Sequence, residues 1–139
     1  MAHPNAAVVE GAYASFGAGD IAALMNIWTD DIVWHMIGAA EPIRGKEAMS
    51  ASMGGDRGFE ITVDLHDVTA SDDHVVALVN AHAVREGKTL DYNTAEIFHV
   101  KDGKVTERWA FSDDTARINE LNEILIRSDG SAIDGLNDV

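Results

Sequence analysis

Between Asp73 and Ser112 the chain carries two consecutive hairpins, and this stretch decides what the remaining residues can be folded around. The run His74-Val75-Val76-Ala77-Leu78-Val79-Asn80-Ala81-His82-Ala83-Val84 is rich in β-formers. It ends at Glu86-Gly87, a dipeptide that can take positive φ and reverse the chain. A returning strand is expected from Leu90 to Val100. Lys101-Asp102-Gly103-Lys104 offers the second turn, and Val105 to Phe111 alternates apolar and polar residues as a half-buried strand does. Side chains alternate with period two, so Tyr92, Thr94, Glu96, Phe98 and Val100 share one face of the middle strand.

Glu96 breaks the pattern of that face. On a solvent-facing sheet it is an ordinary surface carboxylate; in a cavity it is a functional candidate, because residues that violate the local pattern concentrate where chemistry is done. The opposite face, with Val76, Ala95 and Ile97, is apolar too. The central strands are therefore expected to be covered on both sides, by helices on one and by loops or a second subunit on the other. Register decides the neighbour of Glu96. An even turn at Asp102-Gly103 places Trp109 opposite it, and one bulged residue places Ala110 or Arg108 there instead. Arg108 beside Glu96 would count against a protonated acid.

With 139 residues the chain is one domain, long enough for a single core. It contains no cysteine, which excludes disulfides, thiolate metal sites and thiol nucleophiles. The 24 acidic against 10 basic residues, a net charge of -14, make nucleic acid and anionic lipid poor partners. No run approaches the ~20 apolar residues that span a bilayer, and Met1-Ala2-His3-Pro4 lacks the pattern of a secretion signal, so a cytoplasmic location is expected.

Asn5 is positioned to cap a helix reaching about Phe16, with Val9, Tyr13 and Phe16 on one face. Gly17-Ala18-Gly19 ends it, and Asp20 caps a second helix to about Trp28, with Ile21, Leu24, Ile27 and Trp28 at helical spacing. Phe16 and Trp28 read as core. Thr29-Asp30-Asp31 turns into a strand over Ile32 to Ile37, in which Trp34 and Met36 share a face and His35 points the other way unless a bulge re-aims it. Gly38 to Gly45 reads as a loop and Lys46 to Met53 as a short helix. The segment Gly54-Gly55-Asp56-Arg57-Gly58 could gate a pocket. Phe59 to Thr69 alternates as a half-exposed strand. After Ser112, Asp113 or Asp114 caps a last helix with Ile118, Leu121, Ile124 and Leu125 as its stripe, and the tail from Ser128 is loose.

The order helix, helix, strand, short helix, meander is an α+β plan. The matching segments are Gly19-Asp20, Asp30-Asp31-Ile32-Val33-Trp34-His35, Gly45-Lys46-Glu47-Ala48, and Asp102-Gly103-Lys104-Val105-Thr106-Glu107-Arg108-Trp109 with Asp113 beyond. In these the chain resembles the nuclear transport factor 2-like superfamily, in its SnoaL-like and ketosteroid-isomerase-like branch. The resemblance implies a cone-shaped curved sheet wrapped around the N-terminal helices and enclosing a cavity, as a single domain over residues 1–127 with a C-terminal tail over 128–139. Glu96 falls where ketosteroid isomerases hold a protonated acid and some polyketide cyclases a histidine. Their base position falls on Met36, and their tyrosine position on Ala12, one residue from Tyr13. Cyclases and related epoxide hydrolases place an aspartate where this chain has Ala110.

Steroid isomerisation by the familiar residues is thus not supported, and two functions from different classes remain. One is a cofactor-independent acid/base enzyme (isomerase, lyase, cyclase or hydrolase) acting on a small hydrophobic or cyclic metabolite. Glu96 and His35 are its catalytic candidates, and Tyr13, Trp34, Met36, Tyr92, Phe98 and Trp109 line the pocket. Desolvation would push the Glu96 carboxyl up and make it a proton donor, while His35, turned inward, would take a proton. The other is a non-catalytic small-molecule-binding or dimeric scaffold, favoured if Glu96 is salt-bridged. No cofactor is expected and no metal, since the six histidines include no pair at the close helical spacing of a zinc site. His66, His74 and His99 read as surface residues near strand ends, and Asn80 and His82 as convex-face residues. The apolar convex face predicts a homodimer.

Overall fold

Proline at a first helical position needs no N–H partner, and helix α1 (Pro4–Gly17) starts on it. The cap is His3, whose Nδ1 accepts from the Asn5 N–H at 3.1 Å. Asn5 instead donates its side-chain amide to the Ser71 and Asp72 carbonyls, tying the helix start to the sheet. Asp20 caps α2 (Ile21–Ile27) as expected, accepting from the Ala23 N–H at 3.1 Å. These are the first elements of a computed structural model that describes residues 3–53, 59–85 and 87–120. The gating segment 54–58, Glu86, the continuation of the last helix through Leu121, Ile124 and Leu125, and the tail 128–139 lie outside the described residues.

The strands are β1 (Trp28–Trp34), β2 (Ile43–Arg44), β3 (Phe59–Ala70), β4 (His74–Arg85), β5 (Lys88–Lys101) and β6 (Lys104–Ser112), with α3 (Lys46–Met53) between β2 and β3. Residues 115–120 are helical. The strands form one curved, unclosed sheet in the order β2-β1-β6-β5-β4-β3, antiparallel except where β1 runs parallel to β6. Helix α1 packs against β3 and β4, and α3 packs against β1. The fold class is α+β, as the resemblance implied.

Two boundaries differ from the sequence expectation. Strand β1 begins at Trp28 and ends at Trp34, because Trp28 pairs with Val105 and leaves the helix for the sheet. Met36 and Ile37 fall beyond it, in a turn where the Ala39 N–H donates to the Met36 carbonyl at 3.2 Å. The expected loop over Gly38 to Gly45 contains β2, whose Ile43 and Arg44 pair with Trp34 and Val33. Two residues are too few for periodicity to reveal a strand.

Both hairpins form. Asp102 and Gly103 take φ 52° and 77° between the paired Lys101 and Lys104, the positive-φ geometry that matches strand twist. A bulge between His99 and Val100 then shifts the register, so that Glu96 faces Ala110 rather than Trp109. The inner face is built in rows across β4, β5 and β6: Val75, Phe98 and Arg108; Ala77, Glu96 and Ala110; Val79, Thr94 and Ser112. The outer face carries the alternate rows: His74, His99 and Glu107; Val76, Ile97 and Trp109; Leu78, Ala95 and Phe111.

The core joins inner-face Val75, Ala77, Val79, Phe98, Val100 and Val105 to Val9, Leu24, Trp28, Ile32 and Met49. Ile32 and Met49 are wholly buried, and each such side chain stabilises the fold by about 1.5–3 kcal/mol. Among the described residues no helix is long and apolar enough to cross a membrane.

Candidate functional site

Glu96 sits at the centre of the inner face, 7% exposed, between the methyl groups of Ala77 and Ala110. Small neighbours on both flanking strands leave room above the carboxylate, and two longer side chains fill it. From α1 the Tyr13 hydroxyl donates to Glu96 Oε1 at 2.7 Å. From β6, Arg108 donates through Nη2 at 2.9 Å and Nε at 3.3 Å to the same oxygen. Thr94 Oγ1, on the Glu96 strand and face, donates to Oε2 at 2.9 Å. The guanidinium is itself held by two further contacts. Nη1 donates to the His35 carbonyl at 3.1 Å, and Cζ lies 4.3 Å from the Trp34 ring centroid, within the range of a cation–π contact.

Burial pushes the Glu96 carboxyl up. The adjacent Arg108 charge, with hydrogen bonds from Tyr13, Arg108 and Thr94, outweighs it and holds the group below the ordinary carboxylate range. The expected proton donor is therefore an ionised counter-ion, the outcome foreseen for a bulged register that brings Arg108 beside Glu96. The Tyr13 hydroxyl is pushed well up by burial and by the Glu96 charge, and stays a donor. Burial and then Glu96 likewise raise the Tyr92 hydroxyl, with Arg108 opposing.

The aromatic candidates divide between the two faces. Trp34 and Phe98 meet edge-on at 6.4 Å, Tyr13 and Phe98 at 6.1 Å, and Trp28 closes behind Trp34 at 6.1 Å. Tyr92 shares the inner face and is half-buried, as are Tyr13 and Trp34. Trp109 pairs with Ile97 on the outer face. His35 keeps the ideal-strand orientation and stacks on Trp109 at 5.1 Å, its Nε2 2.7 Å from Glu107 Oε2. No bulge re-aims it, since Trp34 and Arg108 are in register beside it and its N–H donates to the Arg108 carbonyl. Glu96 and His35 thus lie on opposite sides of the sheet and cannot exchange a proton directly. Met36, past the end of β1, is 41% exposed. The structure brings together Glu96, Tyr13, Trp34, Tyr92 and Phe98, and leaves His35, Met36 and Trp109 outside that group.

Arg108 and Thr94 are the members that sequence reasoning did not select. Thr94 was legible as two residues from Glu96 on the same strand. Arg108 was legible only as the neighbour that one bulged residue would bring to Glu96, and the bulge between His99 and Val100 supplies it.

The SnoaL-like domain profile matches residues 9–108 of this chain. Protein Rv0034 of Mycobacterium tuberculosis is 30% identical over 116 residues, which cover 78% of this chain and 88% of the relative. The structure of Bal32a, from a soil-derived mobile gene cassette, superposes with a TM-score of 0.78 at 30% identity, covering 85% of this chain and 95% of that one. An NTF2-like protein from Burkholderia pseudomallei superposes with a TM-score of 0.76 at 16% identity, covering 86% and 97%. Neighbours named as polyketide cyclases, at 18–20% identity, share the fold.

Proposed function

Because this chain belongs to the SnoaL-like domain family, we propose that it is a small-molecule-binding protein whose inner sheet face, walled by Tyr13, Trp34, Tyr92 and Phe98, takes a neutral hydrophobic or cyclic metabolite. The observation that carries this reading is the saturation of Glu96. Four donor contacts from Tyr13, Thr94 and Arg108 occupy its two oxygens. A carboxylate held this way is a weak base and, being ionised, no acid; its work is to neutralise Arg108 and fix the polar floor of the site. With the pair neutral overall and the chain at net charge -14, a neutral ligand is favoured over an anion. The half-buried rings of Tyr13, Trp34 and Tyr92 suit an apolar or aromatic one.

A titration with the neutral fluorophore N-phenyl-1-naphthylamine tests this. Trp34→Ala and Tyr92→Ala are expected to weaken binding about tenfold or more, a difference of about 1.4 kcal/mol, while His35→Ala on the outer face leaves it unchanged. Equal affinity in all four proteins would refute the inner site. The neighbours named as polyketide cyclases favour a second reading, a cofactor-independent isomerase, lyase, cyclase or hydrolase. Turnover of a bound cyclic substrate that Glu96→Gln abolishes, with binding retained, would decide for the enzyme.

The proposal includes a homodimer formed through the outer face. Leu78 and Phe111 are 41% and 59% exposed and flank Ala95 in one row, next to the row of Val76, Ile97 and Trp109. A contiguous apolar patch of this kind marks an interaction surface. Light scattering at micromolar concentration should give twice the chain mass, and Leu78→Asp with Phe111→Asp should give a folded monomer. A monomeric wild type would remove the dimer from the proposal.

A further inference from the structure

Strand pairing assembles a histidine pair that spacing along the chain conceals. His74 opens β4 and lies directly opposite His99 on β5, both on the outer face. Their rings are 4.5 Å apart between centroids and inclined at 71°. Two imidazoles that bind one ion each place a nitrogen about 2.0–2.1 Å from it, so the rings must be neighbours and must not be stacked face to face. This pair is adjacent and inclined rather than stacked. His74 is exposed, so an ion can reach the pair from solvent.

His99 is also held in place. The Trp109 ring stands edge-on to it at 4.7 Å, and Trp109 is in turn backed by His35, which is fixed by Glu107 at 2.7 Å. Ordering one imidazole in advance lowers the entropy lost when the second closes on an ion. Glu107 faces His99 across β5 and β6, but its carboxylate is engaged by His35. Among the described residues no group of three or more His, Asp or Glu side chains is placed to hold a metal. Two imidazoles completed by water therefore define the site.

We propose that the cross-strand pair His74 and His99 is a divalent transition-metal site of the kind that neutral imidazole prefers, exemplified by Zn2+. It lies on the face opposite Glu96, at the turn end of β4, and is independent of what the inner face binds. A metal there would clamp β4 to β5 beside the Ser71 to Asp73 turn, so binding should also raise the unfolding temperature by mass action.

The test is calorimetric titration of the full chain with ZnCl2 in a non-chelating buffer. His74→Ala and His99→Ala are each expected to lower affinity about tenfold or more. His82→Ala, which removes an outer-face histidine paired with the Asp91 carboxylate at 2.5 Å, is expected to leave it unchanged. Imidazole 15N resonances of the wild type give a second readout that needs no variant: those of His74 and His99 should shift together as Zn2+ is added, ahead of those of His82. Unchanged affinity in the His74 and His99 variants, an equal loss in His82→Ala, or 15N shifts confined to other histidines would overturn the assignment.

Discussion

Glu96→Gln is expected to lower the stability of the folded chain by about 3–5 kcal/mol, the usual consequence of removing one partner of a buried ion pair. Arg108 is 7% exposed, and two of its three donor contacts go to Glu96 Oε1. Glutamine cannot neutralise it, and its amide would face donors from Tyr13, Thr94 and Arg108 with one acceptor oxygen in place of two. Arg108→Met should cost a similar amount for the complementary reason, a buried carboxylate left without its cation. The double variant Glu96→Gln with Arg108→Met removes both charges, so it should be less destabilised than the sum of the single changes. Denaturant unfolding of the four proteins measures this directly. Additive losses would show that the two residues do not act as a pair.

Acid should reveal the same contact. The folded-state pKa of Glu96 is depressed, so its stabilising contribution is fully present above the unfolded value of about 4.3. It is lost as pH falls through the lower folded value. Asp113 contributes with the same sign. Its carboxyl is held down chiefly by the Asn93 backbone N–H at 3.0 Å, with the Asn93 side-chain amide at 3.1 Å adding to the effect. The expected stability profile is flat with respect to both groups near neutrality and falls below about pH 4. Glu96→Gln should start lower and fall less steeply. A parent profile that gained stability on acidification toward pH 4 would mean that the carboxyl is protonated in the fold.

Most of the architecture was legible because it rests on strong local signals. Glu86-Gly87 and Asp102-Gly103 marked both hairpins, Asp20 marked a helix start, and period-two alternation placed Tyr92 to Val100 on one face. The site was legible in part. Glu96 was found as a charge in an apolar pattern, and Tyr13, Trp34, Tyr92 and Phe98 as its aromatic surroundings. The missing information was register. A single bulge between His99 and Val100 turns Trp109 to the outer face and brings Arg108 over Glu96. That changes the carboxyl from an expected acid to an ion pair, and no local propensity encodes it. For His35, ideal alternation gave the right orientation, and the open point was whether a bulge would re-aim it. The in-register parallel pairing of Trp34 with Arg108, a contact between residues far apart in sequence, leaves no bulge there.

Carboxylate-resolved NMR of Glu96 tests the central claim most directly, namely that the inner face is floored by an ionised, neutralised anchor for a neutral ligand. The side-chain carboxyl 13C resonance should keep its ionised shift from neutral pH to below about 4.3, the ordinary value of a free glutamate. In Arg108→Met the titration should move upward, as burial then acts without the opposing charge. A resonance in the parent protein that titrates near neutral pH would contradict the account and restore Glu96 as a protonated acid.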